Sequence, residues 1–236
     1  MIKRYSTREQ MCHSLLSHNF DPTDGNITSW VRSFLAIVLV TREPTPVEAL
    51  GPFISLACNL AQEDQPSFRR TTRRLAQLFA EKDVKDRWVV LPQGLFREVL
   101  AEQTGASPFF PNRHTHEEIA AACLQMMAGE LRFNICGLSS SFVRNADIKG
   151  LEDSIAANIP PHLHFACCIW TYHISQLQSL EPTLVQMISN FFRFHLLFWL
   201  EVMSLTEESV EETLTPLNTT NVCRESCFYA YITYPL

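Results

Sequence analysis

Apolar positions recur at helical spacing along most of this chain. Residues 5 to 18 predict a weakly amphipathic helix, stopped by Asp21-Pro22-Thr23-Asp24-Gly25, where Pro, Asp and Gly each favour a turn. A new element starts at Asn26. Trp30, Val31, Phe34, Leu35, Val38 and Leu39 then recur at helical spacing with Ala36 and Ile37 between them, which predicts a helix buried on most sides. Thr45-Pro46-Val47-Glu48 offers a Thr N-cap, a Pro at the first helical position and a Glu three residues after the cap, opening a helix to about Leu60. Pro66 opens another, in which Arg69, Arg70, Arg73 and Arg74 fall three and four apart and share one face. Leu75 to Phe79, the charged run Glu81 to Asp86, and Arg87 to Leu91 predict a small β-hairpin, and residues 94 to 103 return to helix.

Gly105 to Arg113, with Pro108 and Pro111, reads as a linker between two halves. Thr115-His116-Glu117-Glu118 is a capping box, and Ile119, Ala122, Cys123, Met126 and Met127 follow it on one apolar face. After Pro160-Pro161, His162 to Leu177 carries apolar residues on nearly every side, as a central helix does. Pro182 opens a long helix with a stripe of Leu184, Met187, Ile188, Phe191, Phe192, Leu196, Trp199 and Val202, widened by Phe194 and Phe198. That surface needs cover from neighbouring helices or from another chain. Periodicity is lost beyond Thr206, so residues 207–236 are expected to form a poorly ordered tail, with a short strand near Phe228 to Thr233. The expected division is 1–105, a helical domain over 106–206, and the tail.

Composition supports a folded chain. Of 236 residues 46% are hydrophobic, only 19% are charged and 7 are Gly, which argues against disorder and against glycine-rich phosphate loops. A net charge of −6 works against extensive phosphate-backbone contact, so no nucleic acid is expected as a partner. Ile2 to Thr7 contain no apolar run of the length a secretory signal needs, so no such signal is expected. The longest apolar segment, Phe191 to Leu205, contains Arg193, His195 and Glu201 and is too short and too polar to span a bilayer. No membrane is expected, and a cytoplasmic location is. The motifs Asn26-Ile27-Thr28 and Asn218-Thr219-Thr220 then carry no meaning as glycosylation sites.

Eight cysteines, Cys12, Cys58, Cys123, Cys136, Cys167, Cys168, Cys223 and Cys227, lie scattered, mostly among apolar neighbours, as buried free thiols do. Cys223 and Cys227 come nearest to a ligand pair, but no second pair or neighbouring His completes a zinc site. The phosphate loop, the dinucleotide turn and the nucleophile elbow are all absent. His114 and His116, and His162 and His164, lie two apart and so point to different helix faces, where neither pair can easily share a metal. His164 and Cys168, four apart, could form an imidazole–thiolate pair, but an apolar helix favours a core cysteine. Gly137-Leu138-Ser139-Ser140-Ser141-Phe142 lacks a following Lys and reads as a loop whose serines cap backbone amides. Catalytic, cofactor and metal residues are therefore expected to be none, and the chain is not expected to be an enzyme.

One resemblance extends this reading. Leu131-Arg132-Phe133-Asn134-Ile135-Cys136-Gly137-Leu138, Ser141-Phe142, Ile159-Pro160-Pro161-His162-Leu163, Ala166-Cys167-Cys168-Ile169-Trp170, His173 and Phe198-Trp199-Leu200-Glu201-Val202-Met203-Ser204-Leu205 resemble the helical segment that follows the nucleotide-binding core of fungal NACHT-type proteins, which are NLR-like STAND NTPases. The first half is similar to the winged-helix region of that family, through Phe34 to Leu39, Glu43-Pro44, Val47 to Leu50, and Val89 to Leu100. The resemblance implies a mainly α fold, with a winged-helix-like half carrying a small β-hairpin followed by a helical bundle. It further implies a non-enzymatic regulatory segment that couples nucleotide state to sensor repeats, with an NTPase core or a second copy as its protein partner. Gln93 stands where the family places a His that helps hold a nucleotide diphosphate, which puts nucleotide sensing by this segment in question. Winged-helix DNA binding would have only the Arg69 to Arg74 face to use. A small thiol-dependent enzyme would need an exposed, low-pKa Cys beside a His. The alternative to a regulatory segment is a truncated or decayed gene-model fragment with no independent function.

Overall fold

The computed structural model describes residues 7–40, 45–79, 88–89, 99, 107–140 and 142–218. The fold is mainly helical, as expected, and it divides into two units, Met1–Ile119 and Ala120–Leu236.

In the first unit α1 (Thr7–Asn19) buries Cys12 and Leu16, one turn apart, and leads to the buried Phe20. Asp21 Oδ1 accepts hydrogen bonds from the Thr23 amide at 2.8 Å and the Thr23 hydroxyl at 2.7 Å, which closes the expected turn. Asp24 then caps α2 (Gly25–Val40) by accepting from the Ile27 amide at 3.0 Å. Trp30, Val31, Phe34, Leu35, Ala36, Ile37 and Val38 are all buried, so α2 is the hub of this unit. It packs on α3 (Val47–Ala57) and α4 (Gln65–Phe79), with Trp30 edge-on to Phe68 at 5.5 Å and Phe34 beside Phe79 at 5.8 Å. On α4, Phe68, Thr71, Leu75 and Phe79 face inward while Arg69, Arg70, Arg73 and Arg74 face solvent.

Four local expectations change. Leu75 to Phe79 is the last part of α4, so the expected hairpin does not form; its inward Leu75 and Phe79 continue the helical spacing of Phe68 and Thr71. The strand β2 (Trp88–Val89) pairs instead, antiparallel, with β1 (Thr45–Pro46), Thr45 opposite Val89 and Pro46 opposite Trp88. This pairing keeps Thr45 and Pro46 extended, so they do not form the first turn of α3. α3 also ends before Leu60: Asn59 adopts a left-handed φ of 47°, its amide donates to Leu56 O at 3.2 Å, and the Leu60 amide donates to Ser55 O at 2.9 Å. These two bonds form a Schellman stop, which Asn tolerates without Gly. Finally, residues 107–112 are not a linker. Phe109 is fully buried between His13 and Phe20, Ser107 Oγ lies 2.9 Å from His13 Nδ1, and Arg32 Nη1 donates to Pro108 O at 3.3 Å. The expected helix over 94–103 and Gln93 lie outside the described residues except for the helical, buried Val99.

α5 (Arg113–Glu130) begins in the first unit and ends in the second. Its cap is Asn112, not Thr115: Asn112 Oδ1 accepts from the Thr115 amide at 3.0 Å, and Thr115 Oγ1 accepts from the Asn112 amide at 3.3 Å. Thr115 thus takes the reciprocal place usually held by Glu.

The second unit adds α6 (Leu151–Asn158), α7 (Pro161–Ser175), α8 (Pro182–Phe194), α9 (Leu196–Leu205) and α10 (Val210–Asn218). α7 is the expected central helix, and its fully buried Trp170 meets Phe191 at 5.0 Å, Phe192 at 6.2 Å and Trp199 at 6.3 Å. Leu184, Ile188, Phe191, Phe192, Trp199 and Val202 of the long stripe on α8 and α9 are therefore buried within the unit, whereas Phe194 stays exposed. The expected single helix is interrupted at His195, with φ −121° and ψ −10°, although neither Pro nor Gly is present and the bonds from His195 N to Phe191 O and from Trp199 N to His195 O carry across it. Residues 210–218 are helical where a tail was expected. α10 lies along α7, the Thr171 hydroxyl donates to Thr213 O, Leu217 is buried, and Ser209 Oγ caps the helix at the Glu212 amide. Tertiary burial overrides the weak periodicity of that short segment. Residues 219–236, with Cys223 and Cys227, lie outside the described residues.

Candidate functional site

Three surfaces carry chemistry. The first is the loop after α5, where the Glu201 carboxylate on α9 accepts the Asn134 amide at 3.0 Å and the Ile135 amide at 3.1 Å. Asn134, left-handed at φ 51°, closes the loop by accepting from the Leu138 amide at 2.7 Å and donating to Leu138 O at 2.9 Å. Gly137 supplies a second left-handed residue at φ 64°. Beside this clasp two large apolar side chains stand in solvent, Phe133 at 80% and Leu197 at 76% exposure. Leu197 lies one turn before Glu201 on the same face of α9. Phe194 is also exposed, beneath the Arg193 guanidinium at 5.3 Å from its ring centre.

The second surface is the Arg face of α4. Arg69, Arg70 and Arg73 line a shallow open cavity with Gln62, Gln65 and Pro66, whereas Arg74 turns back to donate to Asn19 O at the end of α1, at 3.1 Å.

The third joins His164, Cys168 and Glu208. α7 sets His164 and Cys168 one turn apart, and Glu208 comes from the turn between α9 and α10. That turn is another Schellman stop: Glu207 takes a left-handed φ of 58° and the Glu208 amide donates to Met203 O at 2.9 Å. Glu208 Oε1 is thereby brought to 3.0 Å from His164 Nε2. The His164 ring nitrogen, the Cys168 sulfur and the Glu208 oxygen all lie within 4.8 Å of one another. Burial, reinforced by the Glu208 charge, pushes the Cys168 thiol up to about 12, so without an added positive charge it is protonated at neutral pH.

The spacing of His164 and Cys168 puts them on one helix face, but nothing in the sequence points to Glu208, which lies 44 residues beyond His164. The histidines two apart take different partners: His162 Nε2 sits 3.0 Å from both Glu130 carboxylate oxygens, while His164 turns to Glu208. His114 pairs with Glu118 at 3.1 Å, whereas His116 is buried. Burial raises the thiols of all six described cysteines, Cys12 to about 11. Such groups are poor nucleophiles, which leaves a thiol enzyme no activated Cys among the described residues. Among those residues no helix is long and apolar enough to cross a membrane. Comparison with family models, with curated proteins and with solved structures finds no match to this chain.

Proposed function

We propose that this chain is a non-enzymatic regulatory or interaction segment, similar to the part of a NACHT-type, NLR-like signalling NTPase that couples nucleotide state to sensor repeats. It acts in the cytoplasm through protein contacts, with an NTPase core or a second copy as partner. The observation that carries this reading is Glu201. Its carboxylate holds the Asn134 and Ile135 amides, and so joins two of the sequence stretches on which the resemblance rests. Trp199, two residues earlier, donates its indole N–H to Cys167 O at 3.0 Å and draws in a third. Phe133 and Leu197 stand exposed beside that junction and give it an apolar surface to offer a partner. For the first unit, α2, α3, α4 and the β1–β2 pair supply the helices and ladder from which a winged-helix-like arrangement is proposed.

The test is the native transcript and what it encodes. Sequencing it end to end should read into a phosphate-loop NTPase core, and that core should bind this chain with an affinity differing about tenfold between its nucleoside diphosphate and triphosphate states. A transcript without such a core, or binding indifferent to nucleotide, would sink the proposal.

A further inference from the structure

We propose that His164, Cys168 and Glu208 form a binding site for a zinc-class divalent cation, with one coordination position left to water. The donor set is the first argument. Imidazole and thiolate together select zinc and its chemical neighbours over magnesium or calcium, which take oxygen ligands, and three protein ligands with one open position is a common zinc arrangement. The convergence is the second argument. Two donors come from one face of α7 and the third from the α9–α10 turn, and their ligand atoms lie within 4.8 Å of one another. Around a tetrahedral zinc with bonds of about 2.0–2.3 Å, ligand atoms sit about 3.3–3.6 Å apart. His164 Nε2 and Glu208 Oε1 are already at 3.0 Å, so the remaining gap to sulfur closes by about 1 Å of side-chain rotation. The half-buried His164 and Cys168 and the exposed Glu208 have the freedom for that.

The backbone contributes a third argument. Glu207 is held in a left-handed conformation, costly for a residue with a long side chain, and this is what swings Glu208 toward α7. Binding replaces the Cys168 S–H bond with a sulfur–metal bond and releases the proton to solvent, with no change of oxidation state. The bound cation would tie the α9–α10 turn to α7. The inference stands independently of the proposed interaction role, since it uses neither Phe133, Leu197 nor Glu201.

The test is cobalt(II) titration of the purified full chain, followed by absorbance. The expected result is uptake of one cobalt per chain with a thiolate-to-cobalt charge-transfer band and the strong visible bands of a four-coordinate ion. Cys168→Ser should remove the charge-transfer band and weaken affinity by at least about a hundredfold, above the range for loss of an outer partner. A Cys223→Ser, Cys227→Ser double variant should keep the band. Should Cys168→Ser fail to fold, His164→Gln carries the test through the loss of affinity, alongside zinc protection of Cys168 from alkylation mapped by mass spectrometry. Absence of the band in the native chain, its survival in Cys168→Ser, or its loss in the double variant alone would overturn the proposal.

Discussion

At the scale of single residues, burial decides which polar groups matter. His116 on α5 is 3% exposed, and burial lowers its pKa from 6.5 to about 4. Between those two values the unfolded chain binds the proton and the folded chain does not, so unfolding becomes easier as pH falls. The stability contributed by keeping His116 neutral is fully present above pH 6.5 and is lost progressively down to about pH 4, by roughly 3 kcal/mol at full extent. Urea unfolding across that range should show this slope, and a His116→Gln variant should flatten it; an unchanged slope in the variant would place the titration elsewhere. The sequence marks His116 only as one of a pair two apart. It shows that His114 and His116 face different ways, but not which of them is inside, because that depends on what α5 packs against. Cys168 is legible to the same degree: its spacing from His164 can be read, and its proximity to Glu208 cannot.

At the scale of elements, caps and stops decide boundaries, and several rest on bonds that more than one residue could have made. Asn112 and Thr115 are both good capping residues, and the helix starts with the earlier one because the pair bond reciprocally. Asn59 and Glu207 end helices in left-handed geometry with no glycine to announce it. α10 is the sharpest case. Nine residues with a Pro at 216 make a poor isolated helix, so its order comes from docking on α7 through Thr171 and Leu217. Leu217→Ala should accordingly cost about 2–3 kcal/mol in chemical denaturation. It should also abolish hydrogen-exchange protection of residues 210–218 while leaving α7 protected. A loss below about 0.5 kcal/mol, the range of ordinary surface substitutions, would mean the helix is peripheral.

At the scale of the whole molecule, the distribution of apolar surface separates packing from interaction. The α8–α9 stripe, open to a docking reading from its sequence, is spent on Trp170 and the core of the second unit. Of the stripe only Phe194 stays exposed, and the other large apolar side chains left in solvent in this unit include Phe142 and, beside the Glu201 clasp, Phe133 and Leu197. Replacing Phe133 and Leu197 with Ser should change unfolding free energy by less than about 0.5 kcal/mol each. In sedimentation analysis the same double variant should reduce self-association, or should abolish capture by an NTPase core; a stable variant with undiminished association would remove this surface from the proposed function. Helix content, the inward faces of α2, α4, α5 and α7, and the Asp21 to Gly25 turn all follow from local pattern, because helical periodicity and turn chemistry act within a few residues. The pairing of Thr45–Pro46 with Trp88–Val89, the burial of Phe109, the docking of α10 and the meeting of Glu208 with His164 and Cys168 join residues tens of positions apart. No local pattern encodes such distances, since they are set by how the helices of each unit fill that unit's core.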